Sequence, residues 1–261
     1  MYRKSDYIAV FDSGVGGISV LRQLKKCLPQ ERFLYYGDSA NAPYGCRPTE
    51  QVRELTLAAA EKILIQPVKA LVVACNTATA AAIQVLREKY PNLIVVGIEP
   101  ALKLAADHFP GGRIGVMATE VTLREEKFDA LFHRFEESTT VFKIPAPGLV
   151  ELIEQGRADS EETEELISRI LLPYRGKLDA LVLGCTHYPF AADAIRKALG
   201  PEVALLDGGE GTARETRRRL EAANLLSQGS GEVVWQNSSA DPAILALSRQ
   251  LLQSEGRKSN V

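Results

Sequence analysis

Short apolar runs bounded by polar residues alternate along this chain with longer stretches of helical periodicity. The strand-like runs are Tyr7 to Phe11, Phe33 to Tyr36, Ala70 to Ala74, Ile94 to Ile98, Ile114 to Met117, Thr140 to Ile144, Ala180 to Leu183 and Val203 to Leu206. Gly17 to Cys27 and Thr49 to Leu64 typify the helical segments between them. Runs that are apolar at nearly every position suit strands buried on both faces. Their alternation with helices predicts an α/β protein of parallel sheets covered by helix layers.

The pattern also repeats. Ala70-Leu71-Val72-Val73-Ala74-Cys75 returns as Ala180-Leu181-Val182-Leu183-Gly184-Cys185, with the two cysteines 110 residues apart. Ile8-Ala9-Val10-Phe11-Asp12-Ser13 has its counterpart in Ile114-Gly115-Val116-Met117-Ala118-Thr119, 106 residues later. We therefore expect two pseudo-symmetric lobes, each a parallel-sheet βα sandwich, with the active site in the cleft between them. The expected boundaries are 1–98 plus 209–261 for a discontinuous first lobe and 99–208 for the second. Gly208-Gly209-Glu210-Gly211 reads as a hinge. Thr212 to Leu226 reads as a helix packing back on the first lobe, and Val233-Val234-Trp235 as a further strand. Asp241-Pro242 opens a last helix that runs to about Gln253.

Composition narrows the function. The 261 residues suffice for two domains, and 46% hydrophobic with 25% charged residues is ordinary for a soluble globular protein. A net charge of −2 leaves no footprint for nucleic acid or an anionic membrane. Arg217-Arg218-Arg219 lies beside Glu215 and Glu221 and reads as a solvated helix face. No run approaches the ~20 apolar residues of a membrane span. The polar start, Met1 to Tyr7, predicts no signal peptide, and four cysteines without an export signal predict free thiols in a reducing cytoplasm; the lack of a Cys-x-x-Cys pair argues against a structural zinc site.

Chemistry concentrates at strand ends. In Asp12-Ser13-Gly14-Val15-Gly16-Gly17 the glycines let backbone amides approach an anion at a helix N-terminus, although the spacing fits neither the dinucleotide fingerprint nor a Walker loop. Asp12 is placed to meet a substrate amine or a thiol. A lone cysteine would read as packing. Two in matching positions, beside Asn76-Thr77 and Thr186-His187, suggest two bases facing one substrate, each lowered from a pKa of ~8.5 by a helix N-terminus and neighbouring donors. A zinc site on Cys185 and His187 lacks third and fourth ligands at usual spacing. The turn-rich Gly37 to Gly45 stretch, with Tyr44, suits a binding wall. His108 and His133 read as surface residues, Cys27 and Cys46 as structural, and Glu154 by periodicity alone as surface charge.

Taken together these segments resemble the glutamate racemases of the cofactor-independent aspartate/glutamate racemase superfamily. The resemblance rests on Phe11-Asp12-Ser13-Gly14-Val15-Gly16-Gly17, Gly37-Asp38-Ser39 with Pro43-Tyr44-Gly45, Cys75-Asn76-Thr77-Ala78, Gly97-Ile98-Glu99-Pro100 and Gly184-Cys185-Thr186-His187-Tyr188-Pro189. Trp235 to Pro242 is a fainter echo. It implies interconversion of L- and D-glutamate, supplying D-glutamate for peptidoglycan, with Cys75 and Cys185 as the acid/base pair and neither cofactor nor metal. Asp12, Glu154 and His187 would assist the thiols. Asp12, Ser13, Tyr44, Gly45, Asn76, Thr77, Thr119, Thr186 and His187 would bind substrate, with Thr122 completing a Thr-x-x-Thr. The expected partners are the small molecule glutamate and a second copy in a homodimer, with no nucleic acid or membrane.

The chain departs from the family's pattern at Asp207-Gly208-Gly209, where Asp-Ser-Ala is usual, at Glu125 and Phe128, and in a smaller Asn41-Ala42 loop. The competing readings are a racemase for aspartate or another amino acid, and a two-lobed amino-acid-binding protein without chemistry, a class that is usually exported.

Overall fold

The computed structural model describes residues 2–124 and 139–254; Glu125, Phe128 and His133 lie outside them. Five strands, β1 (Tyr7–Asp12), β2 (Phe33–Gly37), β3 (Val68–Val73), β4 (Ile94–Gly97) and β9 (Val233–Asn237), form one wholly parallel sheet in the order β4-β3-β1-β2-β9. Four more, β5 (Arg113–Ala118), β6 (Thr140–Pro145), β7 (Ala180–Leu183) and β8 (Ala204–Asp207), form a second in the order β6-β5-β7-β8. Read from β8, the second order is β4-β3-β1-β2 of the first with each number raised by four, which is the repeat seen in the sequence. Among the described residues β9 is the one strand of the first sheet without a counterpart, and it closes that sheet's β2 edge.

Alternation along the strands fills both faces of each sheet. Ile8 and Val10 of β1 pack with Ile18, Leu21 and Leu24 of α1 (Ile18–Cys27), whereas Ala9 and Phe11 pack on the opposite face with residues of α2 (Thr49–Ile63) and α3 (Asn76–Lys89). In β7, Leu181 and Leu183 face one cluster while Ala180 and Val182 face another. The chain crosses to the second lobe through α4 (Leu102–His108), where His108 is exposed, and α5 (Glu120–Arg124) follows β5. Beyond β6 come α6 (Leu149–Glu154), α7 (Glu161–Leu171) and α8 (Ala192–Leu199).

The return helix, α9 (Gly209–Ala222), starts three residues before the sequence suggests and ends where Asn224 takes a left-handed conformation, φ 54°. Ala213 and Leu220 bury it against the α1 face of the first sheet. The arginine run is paired on its solvent side, Arg217 with Glu221 and Arg218 and Arg219 with Glu215. Asp241 caps α10 (Pro242–Gln253) by accepting the Ala243 amide at 2.9 Å.

Each sheet changes winding direction between its two central strands, β1/β3 and β5/β7. At such a switch point the loops leave in opposite directions and open a crevice at the carboxyl ends. Asp12 ends β1 and Cys75 follows β3; Thr119 follows β5 and Cys185 follows β7. All four occupy the crevice positions.

Candidate active site

Cys75 is the N-cap of α3. Its sulfur accepts the Ala78 amide at 3.4 Å and lies 3.5 Å from Ser13 Oγ. The expectation of a lowered pKa fails here. Burial and the nearby Asp12 carboxylate outweigh the two donors and push the thiol up to about 12. A helix terminus offers partial charge only, and a thiolate with 6% exposure loses more hydration than that returns.

Cys185 has a different setting from the one its sequence suggests. A 3₁₀ turn (Tyr188–Ala191) follows it and α8 begins only at Ala192, so no α-helix starts at this thiol. Its neighbour is His187, whose Nδ1 lies 3.6 Å from the sulfur. His187 Nε2 in turn meets Glu154 Oε1 at 2.5 Å. Burial alone would lower the imidazole pKa, but the hydrogen bonds to Cys185 and Glu154 hold it well above the usual histidine range. The imidazole beside the second thiol is thus biased toward its protonated form. Glu154, the last residue of α6, is not surface charge: helical spacing assigned its face, but not what packs over the helix end.

The two halves meet through these same residues. The Val15 amide of the glycine loop donates to Glu154 Oε1 at 2.7 Å, so the anion that the loop receives is a carboxylate of the opposite lobe. A Cβ on Gly14 would overlap that carboxylate, and one on Gly16 would overlap the His187 ring. The loop is glycine-rich because the second lobe comes this close. Reciprocally, Thr186 Oγ1 donates to Asp12 Oδ2 at 3.0 Å, while Asp12 Oδ1 accepts the Gly14 amide at 2.9 Å. Full burial raises the Asp12 pKa, and the His187 charge opposes that rise. Thr77 Oγ1 reaches Thr119 Oγ1 at 3.3 Å and Thr122 Oγ1 at 3.2 Å across the cleft.

The structure thus gathers Asp12, Ser13, Cys75, Asn76, Thr77, Thr119, Glu154, Cys185, Thr186 and His187 where the two halves meet. Asn76 Oδ1 is buried there without a protein partner. Gly45 sits against Thr119, at 2.7 Å from Thr119 Cγ2 to the position of a Cβ. Tyr44 differs. Its hydroxyl donates to Asp38 Oδ2 at 2.6 Å and its ring packs tilted against Phe11, centroids 6.4 Å apart, so the side chain braces the loop. Asp38, which also accepts both contacts from Asn41 Nδ2, was named in the sequence only as part of a motif, with no role of its own. Its place next to the second strand's Gly37 was the available signal. Cys46 is exposed and Cys27 half-buried, both free.

Residues 16–216 match the family model described as Asp/Glu/hydantoin racemase. A glutamate racemase of Clostridium acetobutylicum is 48% identical over 252 residues, covering 95% of this chain and 98% of its own. Among solved structures, a glutamate racemase isoform from Bacillus anthracis superposes with a TM-score of 0.86 at 31% identity, covering 96% and 95% of the two chains. The Francisella tularensis glutamate racemase, in complex with D-glutamate, has a TM-score of 0.84 at 27% identity, with 97% and 96% covered.

Proposed function

The chain belongs to the Asp/Glu/hydantoin racemase family, and from that premise we propose that it interconverts L- and D-glutamate with Cys75 and Cys185 as its two bases. What supports the reading is that one thiol follows the switch-point strand of each sheet, the two near enough for their charges to interact. Substrate between them presents one face of Cα to each sulfur. A thiolate on one side takes the Cα proton; the thiol on the other side gives its proton to the opposite face. The products are the mirror-image amino acid and a protein whose thiol and thiolate have exchanged places. The raised Cys75 pKa suits the proton-donating form, and the His187 imidazolium sets positive charge beside Cys185.

Without an organic electron sink the carbanion must be met by preformed donors in a site that excludes water. Asn76, Thr77, Thr119, Thr186 and the Ser13 hydroxyl would do that work and hold the two carboxylates. Asp12 and Glu154 position the groups around each thiol. The Gly45 turn contributes backbone rather than the Tyr44 hydroxyl. We assign the lobes to 1–98 plus 209–261 and 99–208, with D-glutamate destined for peptidoglycan, a cytoplasmic site of action and a homodimer as the assembly. No helix among the described residues is long and apolar enough to cross a membrane.

The test is a chiral assay with each glutamate enantiomer after dialysis against a chelator and with no cofactor added. Turnover in both directions is expected, and its loss in both Cys75→Ser and Cys185→Ser. Ligand binding without turnover in the unaltered protein would favour a binding protein, and equal kcat/KM for aspartate would move the assignment to a broad-specificity racemase.

A further inference from the structure

Ser19, on the first turn of α1, touches neither thiol, yet its hydroxyl crosses between the lobes. Oγ lies 2.8 Å from the Thr186 carbonyl oxygen of the second lobe and 2.9 Å from the Gly16 carbonyl of its own. Thr186 is thereby held twice, by its carbonyl at Ser19 and by its hydroxyl at Asp12, 3.0 Å away. One turn further along the same helix, the Arg22 guanidinium lies over the Phe190 ring at 5.1 Å. The α1 face carrying Ser19 and Arg22 therefore grips the 186–190 turn, which presents Cys185 at one end. Gly16 admits this approach, since a Cβ there would stand 2.6 Å from Thr186 Oγ1.

We infer that Ser19 is a positioning residue for the second-lobe thiol: its hydroxyl fixes the Thr186 carbonyl and so aims Cys185 and His187 into the cleft when the lobes are closed. The hydroxyl carries one proton and has two acceptors within reach. If the lobes part, the Gly16 carbonyl still satisfies it, so opening leaves no orphaned donor and closing regains the Thr186 bond. The surroundings of Cys75, in contrast, are built by Ser13 and the Ala78 amide of its own lobe. Loss of the Ser19 bond should therefore handicap one thiol and not the other.

The inference rests on the two-thiol reading above and is tested with Ser19→Ala and Ser19→Thr in the full chain. Loss of one neutral hydrogen bond should lower kcat/KM about threefold to tenfold in Ser19→Ala, equally in both directions, because the equilibrium between enantiomers fixes the ratio of the two. Ser19→Thr keeps the hydroxyl and should restore most of the rate. The diagnostic readout is the isotope effect with Cα-deuterated glutamate. In Ser19→Ala it should rise for the enantiomer whose proton goes to Cys185 and not for the other. Isotope effects that change equally for both enantiomers, or a Ser19→Ala rate within twofold of the unaltered protein, would overturn the assignment. Absence of racemisation in the unaltered protein would instead sink the underlying function.

Discussion

Glu154→Gln removes one charge from the centre of the cross-lobe network with almost no change of volume. In the native chain a single oxygen, Oε1, accepts both the Val15 amide at 2.7 Å and His187 Nε2 at 2.5 Å. The carboxylate side chain is 17% exposed and the imidazole 3%, so solvent screens the pair little. Charge-assisted hydrogen bonds contribute about 1.5–3 kcal/mol and neutral ones about 0.5–1.5. Converting two from the first kind to the second should therefore cost about 2 kcal/mol, or roughly thirtyfold in kcat/KM.

The direction of the pH change follows from His187. Its hydrogen bond to Glu154 helps to raise its pKa, so in Glu154→Gln the imidazole should titrate at lower pH. A group raised in the folded state contributes stability that is fully present below its unfolded pKa of ~6.5 and is lost as pH rises through the folded value. The variant should accordingly lose stability most at low pH and differ less from the native protein at high pH. Measuring kcat/KM and thermal denaturation from pH 6 to 10 on both proteins decides the matter. A loss of less than about threefold with an unmoved pH profile would mean that Glu154 acts by shape alone, since glutamine keeps the shape.

Three further outcomes are expected. Gly208→Ala places a Cβ into the backbone carbonyl of Glu99 and should cost about 1–3 kcal/mol in urea denaturation, whereas Gly211→Ala meets nothing within 4 Å and should be neutral or stabilising. Lys69→Met strands the Glu31 carboxylate, which the fully buried ammonium meets at 2.6 Å while also donating to the Lys4 and Leu225 carbonyls; a loss of about 3–5 kcal/mol is expected, and less in the double variant with Glu31→Gln. Iodoacetamide should label exposed Cys46 before Cys75 at pH 8, and the Cys75 rate should keep climbing beyond pH 10, since burial pushes that thiol up to about 12; a plateau near pH 9 would contradict it.

Much of this molecule is written locally. Wholly apolar runs such as Ala70 to Ala74 have no solvent face to offer, so they become central parallel strands wherever they lie. The repeated run ending in Cys75 and Cys185 places both thiols at strand ends, because the position after a strand is fixed by the strand itself. Asp12, Thr119 and the glycine loop follow by the same logic, and Asp241-Pro242 starts its helix as capping chemistry requires. What happens between segments far apart in the chain was decided by packing. Nothing near Glu154 in sequence says that Val15, 139 residues away, will donate to it. Ser19 looks like any first-turn serine until Thr186 is brought against it. The Cys75 pKa rises because helices and the opposite lobe exclude water, and exclusion of water belongs to the assembled fold, not to any stretch of sequence. Local propensity chose the elements and their ends; burial across the cleft chose the charges, the partners and which glycines had to be glycine.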